Sequence, residues 1–523
     1  MNRTVKTFSV TAALLCFAAM GCTDPTVAPK SSVSSANVFN DPNSYRAFLA
    51  KIYGGLIVTG QRGPDGNPDI AGIDEGFGEY LRLYWYLQEM PTDEAVIGWN
   101  DPGLPDLNTG LWGADNSMVN AMYYRVFYQV MLANEFLRQS TDAKLDSRGQ
   151  FDPTLRTNVH FYRAEARFLR ALSYWHGIDL FGNIPLVTED DPLGATPPKQ
   201  ATRADIYAYA VSELNDIIGK LPPKGPSTYG RAIPEAAHML LAKLYLNAGV
   251  YTGTPNYAGA LTEAQAVINA GYTLPASFRS NFTADNNNSP ELVFVAAQDG
   301  RSTQTWGGMT FLIHAGCGGS MSAANYGIDY CWGGYRMKQQ TYRRFAAGDT
   351  RAAFFYTAGQ TDSVSDRGDF TKGIAAPKFT NLKANGDTAQ AKGMVDTDFP
   401  IFRVADAYLI YAEANIRGGG GTAANALTYL NAVRQRAYGN ATANFAALPP
   451  VDTILAERGR ELLFEASRRT DLIRFGVFTG GTYVWAWKGG TPGGSPLPSF
   501  RDLYPLPANE LIANPNLKQN PGY

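Results

Sequence analysis

The sequence predicts a mostly α-helical fold, a superhelix of paired helices with a loop-rich face carrying short strands. Three observations support that class. An amphipathic stripe runs over 161–175, where Phe161, Ala164, Phe168, Ala171, Leu172 and Trp175 recur at spacings of three and four. Arg163, Arg167 and Arg170 fall on another face of the same turns. Two stretches of about 35 residues, 236–270 and 403–437, each read as helix, turn, helix. Between the helical patterns lie long segments rich in Gly, Asn, Asp, Pro and aromatic residues, at 91–117, 296–400 and 476–510. A scaffold rarely carries such loops without a use for them.

The start of the chain reads as an export signal. Arg3 and Lys6 precede an apolar run over 8–20, which is too short to stay in a bilayer as a spanning helix. It ends Ala19-Met20-Gly21-Cys22. Small residues before a cysteine resemble a lipobox, so residues 1–21 are expected to be a lipoprotein signal and Cys22 the lipidated N-terminus. A plain secretory signal containing a cysteine is the alternative. Residues 22–40, rich in Ser, Thr, Pro, Val and Asn, read as a tether. Residues 41–523 read as one helical domain with a loop-rich insert at about 296–400. No other stretch approaches eighteen apolar residues, so the expected attachment to the membrane is a lipid anchor and not a span.

The helical units follow in order. After the 161–175 stripe, Gly177 reads as a stop and 180–187 as extended chain. The first paired unit carries Ala237, Leu241, Ala242 and Tyr245, then Gly249, then a second run from 257 to 270 ending at Gly271. The second carries Ala405, Leu409, Ala412 and Ala414, a glycine turn at 418–421, and a second run over 423–437. Small residues sit where two helices would meet. The units resemble tetratricopeptide-type hairpins, which must stack because one hairpin cannot bury its apolar face alone.

Composition excludes several functions. Lys and Arg number 45 against 47 Asp and Glu, a formal net charge of −2. There is no basic excess to drive nucleic-acid binding. With 45% hydrophobic residues the chain is not a disordered one. Aromatics reach 12% while charged residues are only 18%, which suits a surface that meets an uncharged ligand. His160, His176, His238 and His314 show no HExxH spacing, and neither a G-x-S-x-G elbow nor a phosphate-binding loop is present. Glu457, Glu461 and Glu465 recur every four residues beside Arg458, Arg468, Asp471 and Arg474. Two carboxylates could suggest a glycosidase, but carboxylates among arginines stay ionised and read as a structural ion-pair network. No catalytic residue, metal site or cofactor is expected.

Segments in a fixed order resemble one family. They begin with Ala164-Glu165-Ala166-Arg167-Phe168-Leu169-Arg170-Ala171 and Leu180-Phe181-Gly182-Asn183-Ile184-Pro185, and continue through 236–249. Later come 399–414, 430–437, Glu457-Arg458-Gly459-Arg460-Glu461-Leu462-Leu463-Phe464-Glu465 and 468–476. The chain closes with Leu503-Tyr504-Pro505-Leu506-Pro507 and Asn514-Pro515-Asn516-Leu517-Lys518-Gln519-Asn520-Pro521-Gly522-Tyr523. From about residue 40 to the end, the chain resembles the SusD/RagB family of outer-membrane nutrient-binding lipoproteins. The resemblance implies a SusD-like fold of four tetratricopeptide-like hairpins under a loop-rich face. It implies a surface-exposed outer-membrane lipoprotein that captures an oligosaccharide and delivers it to a SusC-like TonB-dependent transporter, without catalysis. The readings it competes with are a surface-anchored glycoside hydrolase, a helical scaffold that binds only proteins, and capture of peptides in place of glycans.

The candidate ligand residues follow from sugar chemistry. Flat rings stack on apolar C–H faces, while amide and carboxylate groups satisfy hydroxyls. Trp99, Asn100, Asp101 and Trp112 lie in the Gly/Pro-bounded segment 91–117. Trp306, Tyr330 and Trp332, with Tyr326 nearby, lie in the insert. Trp85 and Trp175 read as core. Apart from Cys16 in the signal and Cys22, the cysteines are Cys317 and Cys331. They form a disulfide in an exported chain or stand as two thiols; export favours the bridge.

Overall fold

Both paired units fold as two packed helices, joined in the first by a connection that holds a further short helix, Ala248–Thr252, and in the second by a turn. The first is Pro234–Leu246 with Tyr257–Asn269, and the second is Val404–Ile416 with Ala423–Tyr438. Helix Tyr257–Asn269 packs between Pro234–Leu246 and Val404–Ile416, so the two hairpins stack. Ala237, Ala242, Ala260, Ala264, Ala405 and Ala412 are all buried at these contacts. The approach is closest at the second turn, where a Cβ on Gly419 would lie 2.5 Å from the Tyr257 carbonyl oxygen. Upstream, Ser117–Gln139, Pro153–Phe181 and Arg203–Ile217 pack in sequence against one another. Thr202 and Asp205 close the start of the third of these with reciprocal capping bonds.

The computed structural model describes residues 35–60, 63–64, 68–192, 194 and 196–523. The expected signal, Cys22 and the tether as far as 34 lie outside the described residues. The chain divides into two units between Ser44 and Tyr45. In the first, the end of the expected tether holds a short helix, Ser35–Val38. Among the described residues no helix is long and apolar enough to cross a membrane.

One boundary differs from expectation. The 161–175 stripe belongs to a 29-residue helix that runs through Gly177 to Phe181. Gly177 is not a stop but a close-packing position: a Cβ there would lie 2.6 Å from Ile184 Cδ1 and 3.3 Å from Val126 Cγ1. The stop is Gly182, at a φ of 71° that favours glycine.

Strands are few. Ala95–Ile97 pairs antiparallel with Tyr335–Met337, and Leu292–Ala296 with Phe399–Arg403. Trp85 and Trp175 are core, at 0% and 5% exposure. The carboxylates on helix Val451–Glu461 are structural, as their arginine neighbours imply. Arg351 bridges Glu457 and Glu461 at 2.7 and 2.9 Å and also holds Asp349. Arg403 holds Glu291, Glu461 and Glu465 at 2.6–2.7 Å. Arg434 and Arg460 complete Glu457 at 2.8 and 2.6 Å.

Candidate functional site

Strand register places the site. Ile97 pairs with Tyr335. Continuing that antiparallel register past the strand ends sets residues 99 and 100 beside 333 and 332. Trp99 and Trp332, distant in sequence, therefore meet, with ring centroids 6.4 Å apart. Trp306 packs edge-on to Trp332 at 6.0 Å, and Tyr330 lies 6.3 Å from it. Trp99, Trp306 and Trp332 are half-buried and Tyr330 is 50% exposed. Four of the seven expected ligand residues thus form one partly exposed cluster of rings.

The floor of the cluster is the apolar helix Gly308–Ala315. At its end, His314 grips the Trp332 segment twice. The Trp332 N–H donates to the His314 carbonyl at 2.9 Å, and His314 Nδ1 lies 2.9 Å from the Tyr330 carbonyl oxygen. That carbonyl makes Nδ1 the protonated ring nitrogen. The His314 ring sits 4.8 Å from the Trp332 ring, and burial holds its pKa below the usual histidine value. Gly333 and Gly334 continue the clamp, their N–H groups donating to Cys317 and Ala315 at 2.8 and 2.9 Å. Gly334 leaves room for Trp99, because a Cβ there would fall 2.8 Å from the indole and 2.7 Å from Ala315 Cβ. Cys317 and Cys331 are bridged, with Cα atoms 4.9 Å apart, closing the loop that carries Tyr330.

Two buried charges on the helix Tyr80–Glu89 side fix the remaining ring. Arg82 donates to the Trp306 carbonyl at 2.9 Å and to the Tyr86 hydroxyl at 2.8 Å, with its guanidinium 5.8 Å from the Trp99 ring centre. Glu79 accepts from Leu81 and Arg82 at the start of that helix and from Gly308 at the start of the floor helix, at 2.7–2.8 Å. One carboxylate therefore caps both helices beneath the rings. Burial raises its pKa to about 7 even with three N–H donors. Sequence reasoning missed Glu79, Arg82 and the role of His314. The signal available was a polar residue ending an otherwise apolar helix three residues before a cysteine.

Asn100 is exposed and Asp101 half-buried at the rim, where the Asp101 charge is felt by the Tyr86 hydroxyl. Trp112 corrects the expectation of ligand contact. It is 1% exposed, packs 4.4 Å from Tyr504, and donates its indole N–H to the Tyr523 hydroxyl at 2.7 Å. The C-terminal tail folds back over it, a contact across 411 residues that local sequence does not encode. Among the described residues no group of three or more His, Cys, Asp or Glu is placed to hold a metal.

The SusD family model matches residues 330–523. The starch-binding protein SusD of Bacteroides thetaiotaomicron is 33% identical over 530 aligned residues, covering 91% of each chain. Surface glycan-binding protein A of the same species, solved with laminarihexaose, superposes with a TM-score of 0.69 at 21% identity, over 91% of this chain and 98% of its own. The corresponding protein of Bacteroides fluxus gives a TM-score of 0.69 at 21% identity, over 92% and 99%. Likeness at that level extends the shared fold, while one-third identity along nine-tenths of both sequences establishes kinship: this chain belongs to the SusD family.

Proposed function

We propose that this protein captures glycans at the cell surface through the ring cluster and hands them to a SusC-like TonB-dependent transporter. The observation that carries the reading is the convergence of Trp99, Trp306, Tyr330 and Trp332 from three separate segments into one half-exposed aromatic face. Rings held by a disulfide, a histidine clamp and a double helix cap are preorganised, so little ordering cost opposes stacking on a sugar. Asn100 and Asp101 at the rim supply partners for hydroxyls. The starch-binding relative and the laminarihexaose complex of the structural neighbour support a glycan ligand.

In the proposed arrangement residues 1–21 are removed, Cys22 carries lipid, 22–40 tether the domain, and the domain from 41 onward faces outward from the outer membrane. The protein binds and does not cleave, since the acidic cluster that might suggest hydrolysis is saturated by arginines inside the fold.

The test is calorimetry with malto- and laminari-oligosaccharides. Trp332→Ala is expected to weaken binding at least about tenfold, the scale of a central aromatic anchor, with Trp99→Ala similar and Trp112→Ala acting on stability instead. Unchanged affinity in both Trp332→Ala and Trp99→Ala, or release of reducing sugar by the pure protein, would overturn the reading.

A further inference from the structure

Away from the ring cluster, an open groove of about 660 Å³ lies among Phe278, Arg279, Tyr326, Phe354, Phe355 and Tyr356. It shares none of these residues with the indole cluster. Its walls are fixed. Phe278 is buried and stacks on Phe354 at 6.5 Å, and Phe354 meets Phe355 at 5.2 Å. The Tyr326 carbonyl accepts from Asn381 at 2.9 Å, and the Tyr356 hydroxyl shares a hydrogen bond with Ser320 at 2.9 Å. Tyr326 and Ser320 both belong to the disulfide-closed loop that also carries Tyr330.

Arg279 is anomalous in this protein. Among the described residues, every other arginine that is not fully exposed donates to a carboxylate, a carbonyl or a hydroxyl. Arg279 is half-buried and makes neither hydrogen bond nor ion pair. The one neighbour whose charge it feels is the Tyr326 hydroxyl, and burial lowers its pKa without a carboxylate to restore it. A guanidinium stays protonated at any ordinary pH and presents a planar fork matched to a carboxylate. Leaving it partly desolvated and without a protein partner costs free energy. Tyr326, Phe355 and Tyr356, half-buried in the groove lining, supply ring surface of the kind that stacks on a pyranose face.

We propose that this groove is a second ligand site that takes an acidic saccharide, its carboxylate on the Arg279 guanidinium and its ring face against the groove's aromatic walls. The saccharide half of the proposal rests on the glycan-capture reading; the anion half does not.

The test compares an oligogalacturonide with its methyl ester, which keeps the shape and loses the charge, by calorimetry on the full chain. The acid form should bind wild type at least tenfold tighter than the ester and weaken as salt rises. Arg279→Gln should abolish that preference, Arg279→Lys should keep part of it, and Trp332→Ala should leave it intact. Arg279→Gln removes no native partner, so its melting temperature should match wild type. The proposal is overturned if wild type shows no preference for the acid form, including the case where the groove docks a protein instead. It is also overturned if Trp332→Ala removes the preference and Arg279→Gln does not. If neutral glycans bind but the acid preference is missing, only this inference fails. An Arg279-dependent preference without neutral binding would remove the ring cluster as the capture site and leave this inference standing.

Discussion

The ion network beneath helix Val451–Glu461 and the ring cluster around Trp332 are opposite solutions for chemically expensive side chains. In the network, buried carboxylates are paired with several arginines each: Glu461 is fully buried yet meets Arg351, Arg403 and Arg436. In the cluster, aromatic surface is held at the boundary with water, half-covered, and the Trp332 indole N–H lacks a partner. Paired charge marks the part that holds the fold together, and half-covered rings mark the part proposed to meet a ligand. Arg279 breaks the pattern of the first region and shares that of the second, which is why it stands out.

That contrast can be broken at its strongest point first. Glu457→Gln removes the carboxylate shared by Arg351, Arg434 and Arg460, weakens the pairing of the fully buried Arg351 and leaves the partly buried Arg434 and Arg460 without a carboxylate. The expected loss is about 3–5 kcal/mol in denaturant unfolding, with glycan affinity of the remaining folded protein unchanged. A loss below about 1 kcal/mol would mean that the network does not specify the fold.

Acid should act on the same region. Burial alone would raise the Glu457 pKa, but Arg351 and then Arg460 outweigh it and hold it at about 2. A carboxylate depressed in the folded state contributes stability that is fully present above its unfolded value of about 4.5 and is lost as pH falls toward 2. That contribution is on the order of 3 kcal/mol. Unfolding monitored from pH 6 to pH 2 should therefore steepen below about 4.5, and the Glu457→Gln variant should show a shallower decline. Equal slopes in the two proteins would remove Glu457 from the account.

Cutting the disulfide sharpens the other side of the comparison. The Cys317–Cys331 loop spans 14 positions, and releasing it with the double variant Cys317→Ser, Cys331→Ser costs about 3 kcal/mol in the chain-entropy model. The loss should be accompanied by weaker glycan binding, because Tyr330 and Trp332 flank the bridge. Unchanged affinity at a lowered melting temperature would show that the clamp from His314 suffices. The smallest expected effect is Gly334→Ala. The added methyl meets Trp99 and Ala315 at 2.7–2.8 Å, so Trp99 must move, at a cost of about 1–3 kcal/mol. A several-fold drop in affinity should follow, read by calorimetry and by the indole fluorescence.

Much of the scaffold is legible in the chain because helix pairing is local. The alanines of 236–270 and 403–437 recur at helical spacing, and Ala237, Ala242, Ala260, Ala264, Ala405 and Ala412 are buried in the packed hairpins. Gly177 was less readable: a glycine at a helix end and a glycine under a neighbouring isoleucine look alike in sequence, and only the approach of Ile184 separates them. The rings of the site were recognisable as ring-bearing loop residues. Which of them converge was not, since that depends on a three-residue strand pair joining positions 95–97 to 335–337.

By itself the sequence determined the helical class, the paired units and the arginine-matched carboxylates, all of which follow from spacing and composition within a few turns of chain. Tertiary structure alone decided that Trp99, Trp306, Tyr330 and Trp332 share a face, that Trp112 lies under the C-terminal tail, and that Arg279 is left without an acceptor. Those outcomes are set by contacts between segments far apart in sequence, whose geometry no local periodicity carries.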